Sequence, residues 1–226
     1  MNDQPSTKWV ATPAGAFRAL DWEGVGAPVL FLHGLTGVAE VWGPTIEALG
    51  GGSRYLAMDQ RGHGHSPKPP TGYGIAEYVR DVRAAVHEMG LAPLHLVGHS
   101  MGARVAMVFA ARHPELLRSV SIVDIGPEEW RENYEQTVKG LARLPLSYPS
   151  MDAALTRGRS RGGESIDSAL AVAPSGAPSP ERLRAIAEAR MQTLPDGTVA
   201  WLASREALEQ SVVSHRSRSF WTEWKR

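Results

Sequence analysis

The stretch Leu94-His-Leu-Val-Gly98-His-Ser100-Met-Gly102 decides the fold, and an apolar run over 103–111 follows it. The short apolar segment at its start predicts a buried strand, and the longer run after it predicts a helix. A serine between two glycines at such a junction predicts a sharp turn that exposes the hydroxyl group. Ser100 is therefore the candidate nucleophile, and a serine that only caps the helix is the alternative.

Three further apolar runs also predict strands. They cover residues 27–32, 55–58 and 120–123, and they stop at His33, Asp59 and Asp124. Helical patterns lie between the strands, over 41–49, 75–89 and 103–111. This alternation predicts an α/β fold with a mostly parallel sheet, helices on both faces, and a ligand site at the carboxyl ends of the strands. Residues 9–15 and 16–22 predict an antiparallel hairpin at the sheet edge.

The strand pattern stops after Pro127, and the chain is helical and polar in character to about Ser214. Helices are expected over 127–144 and 180–193, on either side of a stretch rich in Gly, Ser, Ala and Pro at 157–179. We therefore expect an α/β core over 1–126. Residues 127–226 are expected to form a helical lid and the start of a C-terminal core, with a second small domain or a disordered linker around 157–179 as the alternative.

The composition excludes several classes of function. Lys plus Arg and Asp plus Glu are equal at 24 each, so no overall field attracts nucleic acid, and a small-molecule partner is expected. The chain has no cysteine, which rules out disulfides, thiolate metal sites and a cysteine nucleophile. No signal peptide and no membrane span of about 20 apolar residues is recognisable. We expect a soluble, cytoplasmic protein without a metal or nucleotide cofactor.

The loop after the first parallel strand is His33-Gly34-Leu35-Thr36-Gly37. Its glycines allow the backbone to curl toward the serine. The main-chain N–H groups of Leu35 and Met101 are the predicted donors of an oxyanion hole. His33 ends a buried strand, and a structural hydrogen-bonding role is predicted for it in preference to that of a base.

Three motifs together resemble the α/β-hydrolase superfamily. They are His33-Gly34, Asp59-Gln-Arg61-Gly62-His-Gly-His-Ser66, and the turn at 98–102. The resemblance covers residues 9–126 and, more loosely, the lid. It implies a serine esterase that acts on carboxylic esters or thioesters, with Ser100 as nucleophile and the N–H groups of Met101 and Leu35 as oxyanion donors. For the segment 59–66 it implies a structural role without catalysis.

A serine nucleophile needs a histidine base and a carboxylate that orients this base. The resemblance implies the chain order serine, acid, histidine. Asp124 ends the strand after the nucleophile's helix and is the candidate acid, with a turn or lid-anchoring role as the alternative. Of the eight histidines only His215 follows Asp124, and neither a strand nor a glycine-histidine loop precedes it. We therefore predict that His215 is an ordinary exposed histidine.

The last residues, 220–226, resemble the lead-in to a core strand of this superfamily. We expect that the final core strands, with the usual catalytic histidine, are missing from the chain. The sheet would then expose an edge and an apolar face at 120–123, through which the chain could self-associate. The alternatives to an active hydrolase are a catalytically impaired pseudo-hydrolase, a small-molecule binding module, or a fragment of a longer hydrolase.

Overall fold

The computed structural model describes residues 4–128, 131–159, 179–216 and 219–225. The strands are β1 (Ser6–Thr12), β2 (Gly15–Trp22), β3 (Pro28–Leu32), β4 (Arg54–Met58), β5 (Leu94–His99), β6 (Leu117–Val123), β7 (Ser147–Tyr148), β8 (Met191–Thr193) and β9 (Val199–Trp201). The α-helices are α1 (Gly43–Leu49), α2 (Ile75–Glu88), α3 (Met101–Arg112), α4 (Arg131–Ala142), α5 (Met151–Arg159), α6 (Pro180–Glu188), α7 (Arg205–Arg216) and α8 (Trp221–Trp224). Short 3₁₀ helices cover Ala39–Trp42 and Pro114–Leu116.

A six-stranded sheet with the order β1-β2-β4-β3-β5-β6 forms the centre of the fold. The ladders β4-β3, β3-β5 and β5-β6 are parallel, whereas β1 and β2 form an antiparallel hairpin that joins β4 at one edge. The prediction of an α/β fold with a mostly parallel sheet is confirmed. The carboxyl ends of β3, β4, β5 and β6 consequently meet at one side of the sheet.

Two hydrophobic clusters cover the two faces of this sheet. Leu30 and Leu96 belong to a cluster that includes residues of α2 and α3. Phe31 belongs to the other cluster, which includes Trp42 and Ile46 at the start of α1. Because successive side chains of a strand point to opposite faces, the neighbours Leu30 and Phe31 anchor helices on opposite sides. This packing explains why β3 is apolar throughout.

Two of the predicted strands are longer in the structure than in the sequence pattern. β6 begins at Leu117 and includes Arg118 and Ser119, and β5 continues through Gly98 to His99. Ser119 is the ladder partner of His95, and Gly98 and His99 are the partners of Ile122 and Val123, whereas the register shifts at Arg118. An apolar pattern cannot reveal them, because ladder pairing depends on the backbone and not on the side chain.

The chain divides into two compact units. The first consists of Met1–Arg143 with Ala203–Arg226, and the second of Leu144–Leu202. The second unit contains α5, α6 and a small antiparallel sheet with the order β7-β9-β8. The expectation that no strand follows Pro127 is therefore wrong, because strands of two or three residues are too short to show a periodic pattern. The predicted division between core and lid at residue 126 stays a prediction.

The C-terminal stretch of the first unit returns to the main core. Phe220 is 2% exposed and belongs to the same cluster as residues of α2 and α3. Its N–H group donates a hydrogen bond to the carbonyl oxygen of Pro127 at 2.7 Å. The hydroxyl groups of Tyr78 on α2 and Ser211 on α7 are hydrogen-bonded at 2.7 Å. These contacts make α7 and α8 part of the unit that carries the sheet.

Candidate active site

Ser100 stands between β5 and α3 in a backbone conformation that serine rarely adopts. Its φ is 49° and its ψ is −111°, and such a conformation persists only where the surrounding structure enforces it. The Ser100 N–H group donates to the carbonyl oxygen of Val123 at 3.0 Å. The Ser100 side chain makes no capping hydrogen bond to α3. This observation favours a nucleophile over the helix-capping alternative.

The two glycines of the motif allow the strand and the helix to approach closely. A Cβ atom on Gly98 would overlap the carbonyl group of Gly102. A Cβ atom on Gly102 would overlap the carbonyl oxygen of Leu32 and lie 2.7 Å from that of His33. Larger residues are therefore excluded at both positions. The close approach also places the first turn of α3 directly against the end of β3.

The loop after β3 lies beside Ser100. A Cβ atom on Gly34 would lie 3.2 Å from Ser100 Cβ. The Gly37 N–H group closes the turn by donating to Gly34 O at 3.0 Å. Within the described parts of the chain, no hydrogen bond uses the N–H group of Leu35 or of Met101. The role of these two N–H groups as oxyanion donors stays a prediction.

Asp124 emerges next to Ser100 because β5 and β6 are in register. His99 is the ladder partner of Val123, so the residues that follow them leave adjacent strands at the same side of the sheet. Asp124 has a φ of 68°. Its side chain is 75% exposed, and Oδ2 lies 3.5 Å from Nε2 of His99. An ion pair this exposed stabilises the fold little, so the carboxylate is not committed to a structural role by this contact.

His99 is a site residue to which the sequence reasoning assigned no role. Its side chain is 43% exposed, and a Cβ atom on Gly34 would lie 2.8 Å from its Nδ1 atom. The imidazole therefore lies between the loop at 33–37 and Asp124. In the sequence, a role for His99 is indicated by its position directly before Ser100. Its contact with Asp124 depends on strand pairing, which the motif does not encode.

His215 lies on α7, and its side chain falls outside the described part of the structure. Among the described side chains, His99 is the histidine that contacts Asp124. The prediction that His215 is an ordinary exposed histidine stays a prediction. The structure thus places Ser100 and Asp124, the predicted nucleophile and acid, at the ends of neighbouring strands. The described side chains do not include a histidine assigned as the base.

The segment 59–66 makes buried hydrogen bonds beside the site. Asp59 accepts hydrogen bonds from the N–H groups of Ala39 at 2.7 Å and His65 at 3.0 Å. Its Oδ2 atom also accepts one from Arg18 Nη1 at 3.1 Å. Ser66 Oγ accepts a hydrogen bond from the N–H group of Arg18 at 2.9 Å. All of these partners hold the loop after β4 in place, which is what the resemblance implies for this segment.

His33 and His63 form a buried pair whose members have structural partners. His33 Nδ1 donates to Gly34 O at 2.8 Å, and Nε2 accepts from the Gln60 N–H group at 3.0 Å. The ring centroids of His33 and His63 are 5.1 Å apart. Burial, together with His33, lowers the pKa of His63 to about 3. His63 is therefore neutral at physiological pH, and it contributes no charge to the site.

The described residues contain no group of three or more His, Asp or Glu side chains that could hold a metal ion. Across 4–128, 131–159, 179–216 and 219–225, no helix is both long enough and apolar enough to cross a membrane.

Comparison with known proteins now identifies the family. A sequence model described as the alpha/beta hydrolase fold matches residues 27–205. The chain belongs to the α/β-hydrolase fold family. The matched stretch contains the loop at 33–37, the turn at Ser100 and Asp124.

Two curated proteins are similar to part of this chain. The 2-(acetamidomethylene)succinate hydrolase of Mesorhizobium japonicum is 40% identical over 105 residues, which is 46% of this chain and 38% of that protein. The sn-1-specific diacylglycerol lipase ABHD11 of Mus musculus is 33% identical over 114 residues, 50% of this chain and 37% of that protein. The matched segment thus spans less than two fifths of either relative.

Solved structures resemble the α/β-hydrolase fold of this chain over nearly its whole length. The crystal structure of E-2-(acetamidomethylene)succinate hydrolase superposes with a TM-score of 0.83 at 28% identity, covering 98% of this chain and 76% of that one. The thioesterase domain from the curacin biosynthetic pathway superposes with a TM-score of 0.69 at 22% identity, covering 98% and 78%. The second likeness shows the fold alone.

Proposed function

We propose that this protein is a serine hydrolase that cleaves carboxylic esters or thioesters through an acyl-enzyme on Ser100. One observation carries the proposal. Ser100 is held at a positive φ of 49° between strand and helix, and its side chain is not used as a helix cap. A strained serine whose hydroxyl has no capping role is typical of a nucleophile on an elbow.

In the proposed reaction, Ser100 Oγ attacks the carbonyl carbon of the substrate and gives its proton to a histidine base. The N–H groups of Leu35 and Met101 stabilise the oxyanion of the tetrahedral intermediate. Collapse of this intermediate breaks the C–O or C–S bond, and the proton goes to the alcohol or thiol that leaves. Water then attacks the acyl-enzyme, which releases the carboxylic acid and restores the serine.

Asp124 is the proposed acid of the triad, since it lies beside Ser100 at the carboxyl ends of paired strands. Its role is to orient and stabilise the histidine base. Its exposed carboxylate is open to such a partner, and the contact with His99 at 3.5 Å leaves the other carboxylate oxygen unused by any described residue. The base itself is not assigned to His215, which lies on a helix without the expected loop.

A second candidate is a pseudo-hydrolase or binding module that retains the nucleophile but does not turn over esters. The observation that favours it is the surroundings of Asp124. Among the described side chains, the histidine in contact with Asp124 is His99, the residue directly before the nucleophile. A serine without a base reacts slowly with esters because its hydroxyl group is a weak nucleophile at its free pKa.

The first substrate to try is E-2-(acetamidomethylene)succinate. A sequence relative at 40% identity and a structure with a TM-score of 0.83 both carry the name of a hydrolase for this compound. Because the acetamido group of this compound is an amide, its turnover would extend the proposal beyond esters and thioesters. The assay therefore includes an aryl ester and an acyl thioester as the proposed substrates.

The decisive experiment treats the purified chain with a fluorophosphonate and locates the adduct by mass spectrometry. We expect modification of Ser100, its loss in Ser100→Ala, and its retention in the matched control Ser53→Ala. Turnover of the aryl ester or of the acyl thioester that is lost in Ser100→Ala and falls at least about 100-fold in Asp124→Asn supports the proposed hydrolase. A folded chain that is not labelled at Ser100 overturns the hydrolase in favour of the pseudo-hydrolase or binding module, and labelling without turnover of the ester or the thioester overturns the proposed reaction.

A further inference from the structure

The loop after β3 forms a tight turn whose third residue is strained. The Gly37 N–H group donates to Gly34 O at 3.0 Å, which closes a four-residue turn with Leu35 and Thr36 at its centre. Thr36 has a φ of 64°. A positive φ at the third position is typical of a type II turn, where glycine or asparagine is the usual residue. A β-branched residue is an outlier there, and it persists only where the surroundings hold the backbone.

His33 contacts both ends of this turn. Its Nδ1 atom donates to Gly34 O at 2.8 Å. A Cβ atom on Gly37 would lie 2.9 Å from Cβ of His33 and 3.0 Å from its Cγ, so the backbone of Gly37 packs directly against this side chain. His33 is fully buried. A displacement of His33 would therefore move both ends of the turn, together with Leu35 between them.

Gln60 fixes His33 from the end of the neighbouring strand. The Gln60 N–H group donates to His33 Nε2 at 3.0 Å, and its side-chain Nε2 donates to His33 O at 2.6 Å. Gln60 is buried, and it follows β4, which pairs with β3 through Met58 and Leu32. Because a carbonyl oxygen only accepts hydrogen bonds, the amide nitrogen of Gln60 must face it. The two bonds thus join the ends of two strands at the point where the loop begins.

The same turn lies against the nucleophile on its other side. A Cβ atom on Gly34 would lie 3.2 Å from Ser100 Cβ. Direct contacts therefore lead from Gln60 to His33, from His33 to the turn, and from the turn to Ser100. Leu35, whose N–H group is the predicted oxyanion donor, lies between the two held ends of the turn.

We propose that Gln60 is a positioning residue. Through its side-chain bond to His33 O it holds the strained turn, and with it the Leu35 N–H group, beside Ser100. This inference rests on the proposed function, since it takes Ser100 as the nucleophile and the Leu35 N–H group as an oxyanion donor.

Two substitutions follow from this proposal. Gln60→Met keeps the size of the side chain and the backbone bond to His33, but it removes the side-chain donor. Thr36 should then relax toward a negative φ, and Leu35 should move with it. In Thr36→Gly the strain is absent because glycine adopts a positive φ freely, so the turn should depend less on Gln60.

The rate at which a fluorophosphonate modifies Ser100 measures this positioning. The phosphoryl oxygen of the probe takes up negative charge as the serine attacks, and oxyanion donors stabilise that charge. We expect Gln60→Met to lower the maximal rate constant about 10- to 100-fold, since a small misplacement of a reacting group costs up to this factor. The half-saturating probe concentration should change less than about threefold, because the loss falls on the transition state.

The matched control for this variant is Gln210→Met. It removes a bond of the same kind, from Gln210 Nε2 to Pro70 O at 3.0 Å, at a position outside the loop. Its rate constant should equal that of the wild type. A Gln60→Met variant that also reacts at the wild-type rate overturns the proposal.

A rescue test separates positioning from a general loss of stability. In the Thr36→Gly background, Gln60→Met should lower the maximal rate constant by no more than about threefold. A substitution that only destabilises the fold would cost the same factor in both backgrounds, and equal losses therefore overturn the proposal. Circular dichroism establishes that each variant is folded. If Gln60→Met does not fold, Gln60→Asn, which shortens the side chain by one methylene group, takes its place.

Hydrogen exchange of the peptide that covers 33–38 tests the same inference without any reaction at Ser100. Exchange should be faster in Gln60→Met than in the wild type and in Gln210→Met, because the turn is released. Unchanged exchange overturns the proposal. Failure of the wild type to react with the probe overturns the proposed function instead, and the exchange rates then decide whether Gln60 holds the loop.

Discussion

The backbone conformation of Ser100 depends on the two glycines of its motif. The close approach of β5, α3 and β3 is possible because Gly98 and Gly102 leave space that a Cβ atom would fill. The hydrogen bond from Ser100 to Val123 then links the turn to β6. The two glycines thus allow β5, α3 and β3 to pack closely. This packing positions the hydroxyl group of Ser100.

Adding a methyl group should therefore destabilise the protein at an elbow glycine and not at an exposed helix glycine. We expect Gly98→Ala to lower the free energy of unfolding by about 1–3 kcal/mol, since the new Cβ overlaps the backbone. The matched control is Gly140→Ala on α4, where a Cβ atom would meet nothing within 4 Å. That change should raise stability by about 0.5–1 kcal/mol through helix propensity. Urea denaturation followed by circular dichroism measures both, and equal effects would contradict the steric argument.

His63 should make stability depend on pH. Its pKa is lowered by burial to about 3 in the folded protein, whereas an unfolded chain has an ordinary histidine pKa of about 6.5. Between these values the unfolded state binds the extra proton, so stability is fully present above pH of about 6.5 and falls as the pH is lowered toward about 3. The loss from this group is about 1.4 kcal/mol per pH unit within the window.

The measurement is the slope of unfolding free energy against pH for the wild type and for His63→Gln. The variant should have a shallower slope between pH of about 6 and 4, because glutamine does not titrate. His87→Gln, an exposed change on α2, should keep the wild-type slope. Equal slopes in all three proteins would show that His63 is not buried as a neutral group.

At the scale of elements, the loop after β4 is tied to α2 by a buried ion pair. Arg61 Nη2 donates to Asp81 Oδ1 at 2.7 Å, and Arg61 Nε donates to Asp81 Oδ2. Arg61 Nη1 also donates to the carbonyl oxygen of Gly72 at 2.7 Å. Both charged residues are buried. The pair positions the segment 59–66, which in turn lies against the loop that carries Leu35.

Removing one partner of this pair should be costly because the other charge stays buried. We expect Asp81→Ala to lower the unfolding free energy by about 3–5 kcal/mol. The double variant Arg61→Met/Asp81→Leu should lose less, since it leaves no buried charge. Glu77→Ala, which breaks the more exposed Glu77–Arg80 pair, should change stability by at most about 1 kcal/mol. A double variant less stable than Asp81→Ala would contradict this account.

At the scale of the whole molecule, the first unit is made from two stretches that are far apart in the chain. Residues 203–226 return to it after the second unit. Phe220 fills the core beside α2 and α3, and Ser211 bonds to Tyr78. The core that supports the candidate site therefore includes residues that lie more than a hundred positions after Ser100.

Truncating a side chain of the returning stretch should consequently destabilise the core. Phe220→Ala is expected to lower the unfolding free energy by about 3–5 kcal/mol, through lost burial and the cavity that remains. The neighbouring exposed residue provides the control, and Trp221→Ala should change stability by no more than about 0.5 kcal/mol. Thermal and urea unfolding of both variants make the comparison. Similar losses would show that Phe220 is not part of the main core.

Much of the site-bearing core was determined by the sequence alone. The strand, turn and helix around Ser100 were predictable because glycine sterics and apolar periodicity act over a few residues. The alternation of such segments then determined a mostly parallel sheet, and the sheet determined that Ser100 and Asp124 end on the same side. The order of the motifs was sufficient for the family.

Only the tertiary structure decided which distant groups meet. The contact of His99 with Asp124 depends on the register of β5 and β6. The short sheet of β7, β8 and β9 depends on pairing between residues far apart in the chain. The burial of Phe220 depends on a core whose other residues come much earlier in the chain. None of these leaves a local pattern, because backbone pairing and core packing depend on the whole set of neighbours. Local chemistry thus predicted the nucleophile, and long-range packing determined what surrounds it.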